Sequence, residues 1–487
     1  MCQFIFVTQA DTLAGSLIID SIAFRGAYMS QQFREQGGAA TMDPSALTRW
    51  LTSKFIRKLI KPQRIIKQRL KVEKYRLAKG GQHIVEYFHQ LDDGYSFLAA
   101  QVLQALCQRY DIELRCHLVT GPTGNNSVEP ELLRQLSQYD ANLIAPHYGL
   151  ASLGDNQLPD QKTIQRAQSI LAAQSSADFA ALAVDVSAAL WAGDKAMLSK
   201  LAEQYGSVSA QQCQEHVTAG NARRAELKHY SGAMFYYGGE WYWGIDRLHY
   251  LEQRLSELGV DRDPSAVKLM PRPKVESGQH KDCGNLTLEV YPSLRSPYTA
   301  IAFDQTLKLA EKTGVKLVVR PVLPMVMRGV PATREKGVYI FTDVAREARS
   351  AGVAFGDFYD PIGEPVRRCY SLYPWACKQG LGNQLLSSFL SCAFAKGINT
   401  NNDRGLKQVV EQAGLDWSVA KTMLGQTDWQ AVVEDNRQAM YKAGLWGVPS
   451  YQLLNSQGES VLAVWGQDRL WLVAREIERQ LLLGTDV

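Results

Sequence analysis

The sequence predicts an α/β protein built from two tandem domains of one plan, each opening strand, helix, strand, closing with a hairpin and a helix, and carrying a helical insertion between. Three observations predict this. Residues 83–119 include VEYFHQLDDGYSFLAAQVLQALCQRYDIELRCHLV and residues 286–323 read LTLEVYPSLRSPYTAIAFDQTLKLAEKTGVKLVVRPVL, so both carry an alternating apolar run, a short turn, a helical pattern and a second apolar run. In this alignment Glu86 matches Glu289 and Tyr95 matches Tyr298. The other ends match as well, SGAMFYYGGEWYWGIDRLHYLEQRL at 231–255 against WGVPSYQLLNSQGESVLAVWGQDRLWLVAREIERQL at 446–481. Between the matched ends of the second copy, stretches such as LLSSFLSCAFAKG, DRGLKQVVEQAG and DWQAVVEDNRQAMYKAG have the spacing of amphipathic helices.

The order along the chain follows. With 487 residues, 46% of them hydrophobic and 21% charged, the chain has length and apolar content for two or three domains with separate cores. Residues 1–48 show Gly, Ala and Gln clusters without sustained periodicity and are expected to be poorly ordered. Residues 49–79 form a basic amphipathic arm, in which Leu51, Phe55, Ile56, Leu59 and Ile60 recur at helical spacing and Pro62 interrupts the run. The first domain then spans 80–258, a Pro-, Gly- and charge-rich linker 259–283, and the second domain 284–484, with its helical insertion at about 340–443.

The arm holds twelve Lys or Arg against one acid, Glu73, so it carries +11 in a chain of net +4 and leaves −7 for the remainder. Such a face packs on the acidic remainder of its own protein or meets an acidic membrane surface or partner. Nucleic acid is the weakest of these options, because no recognised binding motif accompanies the charge. No apolar run reaches membrane-spanning length, and the first Lys or Arg is Arg25, too late for the basic start of a secretory signal. A cytoplasmic location is therefore expected. None of the eight cysteines stands in Cys-x-x-Cys spacing, which disfavours dithiol redox chemistry and a zinc site alike.

Three short segments could carry chemistry. The turn at 293–299, Ser-Leu-Arg-Ser-Pro-Tyr-Thr, follows a strand and opens a helix with Pro297 at its first position. A helix start offers free N–H groups and partial positive charge, so an anion such as a thiolate is stabilised there, with Ser296 placed to donate a hydrogen bond. Taken alone, Ser296 is equally an ordinary N-cap. At 447–450, Gly-Val-Pro-Ser, a proline at a strand start suggests a bulge or a cis peptide and leaves the backbone of Val448 open for strand-like pairing. At 465–470, Trp-Gly-Gln-Asp-Arg-Leu, a glycine turn leads into the last helix, where Gln467 and Asp468 either cap it or hold an amino group of a ligand.

In this order, these segments resemble the family of 2-hydroxychromene-2-carboxylate isomerases and kappa-class glutathione transferases, a branch of the DsbA-like thioredoxin families. The resemblance covers about 200 residues and includes Arg320-Pro321-Val322-Leu323, the Lys336, Tyr339 and Asp343 helix pattern, Ala393 to Gly397, and Gly444-Leu445-Trp446. It implies two tandem thioredoxin-like domains, with reduced glutathione bound by the second. By that resemblance Ser296 stabilises the glutathione thiolate, Val448 before a cis Pro449 pairs with the glutathione backbone, and Gln467 and Asp468 bind its γ-glutamyl end. Where the family has Gly-Asn before prolines, this chain has Met327-Arg328-Gly329-Val330-Pro331, and Arg328 is the candidate substitute as a carboxylate binder. The implied activity is glutathione-dependent isomerisation or transfer on a small hydrophobic, aromatic substrate, with no metal. The alternatives are a DsbA-family thiol–disulfide oxidoreductase-like protein and a non-catalytic scaffold. The first domain aligns Asp93 with Ser296, Gly94 with Pro297 and Met234 with Pro449, and is expected to be a degenerate copy packing as one half of an internal pseudo-dimer.

Overall fold

A computed structural model describes residues 43–483 apart from Asp155, Pro331 and Thr427. Most of the segment expected to be poorly ordered, residues 1–42, lies outside the described residues. Helix α1 (Ala46–Ile60) begins within the rest of that segment, and helix α2 (Pro62–Ala78) follows. Pro62 at the first position of α2 ends one helix and starts the next.

The chain forms two compact units, one of residues 58–274 with 331–342 and one of residues up to 57 with 275–330 and 343–487. In the first unit, β1 (Ile84–His89), α3 (Gly94–Arg109) and β2 (Glu113–Leu118) make the opening, and β3 (Met234–Tyr237), β4 (Glu240–Trp243) and α9 (Gly244–Glu257) the close. Between them lie α4 (Pro130–Ile144), α5 (Gln161–Leu171), α6 (Ser176–Trp191), α7 (Lys195–Tyr205) and α8 (Ala210–Glu226). The sheet order is β2-β1-β3-β4, with β1 parallel to β2 and antiparallel to β3. Successive β1 side chains face opposite ways, and both sets are buried, Val85 and Tyr87 on one side and Phe88 on the other.

The second unit repeats this plan. Strand β5 (Thr287–Tyr291), α10 (Pro297–Thr313) and β6 (Lys316–Val319) open it, and β7 (Ser450–Leu454), β8 (Ser460–Trp465) and α17 (Leu470–Leu483) close it. Its sheet order is β6-β5-β7-β8. The insertion runs through α11 (Arg334–Ser350), α12 (Glu364–Lys378), α13 (Gly382–Phe394), α14 (Asp403–Gln412), α15 (Trp417–Met423) and α16 (Trp429–Lys442).

Register corrects one expected correspondence. Glu86 stands opposite Tyr236 and Glu289 opposite Gln452, so Met234, opposite Phe88, corresponds to Ser450, opposite Tyr291. Ala233, not Met234, therefore occupies the place of Pro449. The same backbone bond marks both turns, Gly244 N–H to Ala233 O at 2.7 Å and Gly466 N–H to Pro449 O at 2.9 Å. Without a proline in the first copy, nothing in the sequence fixed that register. The Glu86 and Glu289 match holds in three dimensions: Glu86 accepts from Arg223 at 2.7 and 2.8 Å and pairs with His117 at 3.0 Å, and Glu289 accepts from Arg320 at 2.6 Å. Burial of Glu86 opposes its charge, yet the hydrogen bonds of Arg223 and His117 outweigh it and hold the carboxyl down at about 2.

One further expectation needs refining, and the linker 259–283, within which the boundary between the units falls, is anchored towards both of its ends. Asp261 bridges to Tyr110 and pairs with Arg109 at 3.1 Å, the Glu252 carboxylate accepts from the backbone N–H of Leu269 and Met270, and Asp282 caps the N–H groups of Gly284, Asn285 and Leu286. The helix pattern Lys336, Tyr339 and Asp343 is split. Residues 331–342 pack in the first unit, where Tyr339 joins Phe88, Val119 and Met234 and meets the His229 ring edge-on at 4.8 Å. The pattern of three at helical spacing signals a shared helix, but not which core each residue enters.

Candidate active site

The turn after β5 is built as its sequence foretells. Ser296 caps α10, its Oγ accepting the Thr299 N–H at 3.2 Å, and Pro297 sits where an N–H would have no helical partner. The Ser296 Oγ donates to the carbonyl of Val448 at 3.3 Å, across 152 residues of sequence. The Val448–Pro449 peptide is cis. Ser296 and Val448 are both half-buried, and among the described residues the Val448 N–H donates to no backbone carbonyl. Gly447 is needed for this approach, because a Cβ there would stand 2.2 Å from the Trp465 ring.

The third segment closes on the second through the bond from Gly466 to Pro449. Gly466 has φ 113°, and Asp468 folds back over it, so that a Cβ on Gly466 would fall 2.5 Å from Asp468 Oδ1. Asp468 thus lies beside the cis-proline turn, with Oδ1 3.9 Å from Arg469. Gln467 is differently engaged. Its amide donates to Glu347 Oε2 at 2.6 Å, so this donor is committed to a carboxylate of the protein's own insertion. Ser296, Val448, Pro449, Gln467 and Asp468 therefore gather around one end of the sheet.

Arg328 ends a short 3-10 turn and is buried, with Nε and Nη1 finding no partner among the described residues. Burial lowers its pKa, while Tyr441 and Glu434 nearby favour its charge. No hydrogen bond or ion pair joins it to Ser296, Val448 or Asp468 among the described residues.

Sequence reasoning missed the residues that hold the turns in place. The Tyr370 hydroxyl accepts the Leu294 N–H at 3.3 Å and donates to Val322 O at 2.9 Å, tying the turn after β5 to the loop after β6. Asp360 pairs with Arg295 through two bonds of 3.1 and 3.2 Å, which neutralises the positive charge next to Ser296. Asp360 is itself held by α1, with its N–H on Ser53 Oγ at 2.9 Å and its carbonyl on Arg49 at 2.8 Å. A Tyr and an Asp inside a helical insertion carry no signal of this; an arginine beside the site without an assigned partner was the one available hint.

The first unit has the same turn with different chemistry. Asp93 accepts the N–H and Oγ of Ser96 at 3.0 and 2.9 Å and the Oγ of Ser137 at 2.7 Å, so its acceptors are taken. Burial is the larger influence and raises its pKa against those hydrogen bonds. Gly94 permits the close approach of α4, since a Cβ would lie 2.6 Å from the Ser137 carbonyl.

A strand, helix, strand opening, a hairpin and helix close, and a cis-proline turn facing a helix start define a thioredoxin-like domain in the second unit. Residues 287–478 match the family described as DSBA-like thioredoxin domain. Among solved structures, 2-hydroxychromene-2-carboxylate isomerase is similar at 18% identity and TM-score 0.35, over 41% of this chain and 98% of that one. A probable DsbA oxidoreductase from Streptomyces coelicolor is similar at 16% identity and TM-score 0.31, over 40% and 90%. No curated protein matches the chain in sequence.

Proposed function

We propose that the second unit is a glutathione-dependent isomerase or transferase acting on a small hydrophobic, aromatic substrate. The observation that carries the reading is the Ser296 hydroxyl at the start of the 17-residue helix α10, facing the cis Val448–Pro449 turn. When bound there, glutathione would supply a thiolate nucleophile for reversible addition to a conjugated double bond of the substrate. The residues present suit that group. The first-turn N–H groups of α10 and the partial positive charge of its helix favour a thiolate. Ser296 turns its hydroxyl hydrogen from the Val448 carbonyl to the sulfur, and the released carbonyl and the N–H of Val448 then pair with an extended peptide backbone. Asp468, beside the turn, takes the ligand's ammonium group, and the unpartnered N–H groups of Arg328 suit a carboxylate. Gln467 acts through Glu347 as a positioning residue.

Dithiol oxidoreductase chemistry is disfavoured by serine at 296 and by the absence of Cys-x-x-Cys. The saturated Asp93 favours a structural role for the first unit, as a duplicated copy without its own thiol site. A reducing, cytoplasmic setting suits the seven described cysteines, all free thiols. Calorimetric titration with reduced glutathione tests the reading. Saturable heat that Asp468→Ala and Ser296→Ala weaken supports it, and no heat up to about 10 mM glutathione, in a folded sample, sinks it.

A further inference from the structure

Of the sixteen large apolar side chains exposed among the described residues, four lie on α1 (Leu47, Trp50, Leu51 and Phe55) and four on α2 (Ile66, Leu70, Tyr75 and Leu77), the two helices that carry the concentrated positive charge. Chance scatter of surface apolar residues does not give that clustering, and contiguous exposed apolar surface marks an interaction site. We propose that the outward face of α2 docks on the surface of an anionic lipid bilayer, with α1 carrying the same pattern.

At about 100° per residue, Ile66, Leu70 and Leu77 fall in one stripe along α2. They are 56%, 65% and 64% exposed. Lys67, Lys71 and Lys74 occupy the adjoining stripe and are exposed. The inward side is occupied differently: Gln68 donates to Gly239 O at 3.2 Å, and Arg69 pairs with Glu240 at 2.7 Å. Arg76 pairs with Glu73 and donates to Gly81 O at 2.7 Å. The arginines of α2 that make ion pairs are thus spent on holding the helix, and its lysines are left facing outward beside leucine and isoleucine. On α1, Arg49, Ser53 and Ile56 are buried, while Leu47, Trp50 and Leu51 are exposed with Lys54 and Lys58, and the Lys54 ammonium lies 4.7 Å from the Trp50 ring centre.

This chemistry selects its occupant. A basic helix with an apolar stripe lies in a bilayer interface, the stripe entering the acyl boundary and the lysine ammoniums meeting lipid phosphates. On α2 the three exposed lysines Lys67, Lys71 and Lys74 outnumber the single exposed aromatic, Tyr75, and the single exposed arginine, Arg64, a balance that suits lipid phosphates better than a protein partner, and nucleic acid would leave the Ile66, Leu70 and Leu77 stripe in water. Residues 1–42 carry three acids and two arginines, too little charge to neutralise the arm. No helix among the described residues is long and apolar enough to cross a membrane, so the contact proposed is one of lying on the surface.

The test is sedimentation of the full chain with vesicles of phosphatidylcholine alone and with about 30% phosphatidylserine, at low and high salt. The expected result is binding to the anionic vesicles, weakened by salt, with little binding to phosphatidylcholine. Lys67→Gln, Lys71→Gln and Lys74→Gln together lower the affinity about 100-fold, at about fivefold per lysine. Leu70→Ser with Leu77→Ser lowers it about tenfold or more. These side chains point into solvent, so thermal melting of both variants stays at the wild-type midpoint. Glutathione titration of the variants stays at wild-type values too, which separates this surface from the thiol site. Failure to sediment with anionic vesicles at low salt, equal binding to both vesicle types, or a dimer in solution that Leu70→Ser and Leu77→Ser dissolve would overturn the proposal.

Discussion

At the scale of single residues, the site depends on a glycine and a serine with separable roles. Gly447→Ala places a methyl group against the Trp465 ring, which is itself packed on Trp446 at 5.0 Å. The rings must shift, and the expected cost is about 1–3 kcal/mol, read from the midpoint of urea unfolding. Ser296→Ala removes a helix cap and should cost about 1 kcal/mol of stability. If Ser296 only caps α10, Ser296→Asp restores stability and glutathione affinity together. If it serves a thiolate, Ser296→Asp restores stability but not affinity, because a second negative charge at the helix start repels the sulfur. The two titrations, one by denaturant and one by glutathione, separate these outcomes.

At the scale of elements, the insertion helices act as a clamp on the turns around Ser296. Tyr370→Phe leaves the Leu294 N–H and the Val322 carbonyl without their hydroxyl and should destabilise the second unit by about 1–3 kcal/mol. Strand β1 offers a pH prediction. The Glu86 carboxyl is held at about 2, below its ordinary 4.5, so its contribution is complete above about 4.5 and is lost as the pH falls towards 2. Arg223 is partly solvated, so the amount is at most about 3 kcal/mol. Glu86→Gln should flatten the stability profile across that window, measured by urea melts at stepped pH. Much at this scale was legible in the sequence. The two β-α-β openings and the two hairpin-and-helix ends repeat a pattern of alternation and turn residues, which local physics fixes. Ser296 as N-cap and the cis Pro449 are likewise local. The Ala233 correspondence, the commitment of Gln467 to Glu347 and the neutralisation of Arg295 by Asp360 were not legible, since each depends on a partner brought in from far along the chain.

For the whole molecule, the cysteines give a staged readout of folding. Burial pushes the thiol pKa of Cys116, Cys213, Cys369 and Cys392 up and withholds the reactive thiolate. Cys283 is exposed, whereas Cys377, also at the surface, has its pKa raised by partial burial. A thiol reagent applied to native protein should therefore label Cys283 first among the described cysteines and Cys377 more slowly. Cys116, Cys213, Cys369 and Cys392 should become reactive only on unfolding, with Cys107, half-buried and likewise raised in pKa by burial, labelling between the two groups, as peptide mapping of quenched samples would show.

Helix α11 is continuous from Arg334 to Ser350, although its first nine residues belong to the core that contains Phe88 and Met234 and the rest to the other unit. Cutting the gene between codons 274 and 275 would therefore not release a self-sufficient N-terminal fragment. That fragment would lack Tyr339 and present Phe88 and Met234 to solvent as a sticky, dye-binding surface. Complementation with a synthetic peptide of residues 331–350 should quench the dye signal. An insertion that lends about two and a half turns of helix to the neighbouring core leaves no single cut in the chain that separates the two halves cleanly.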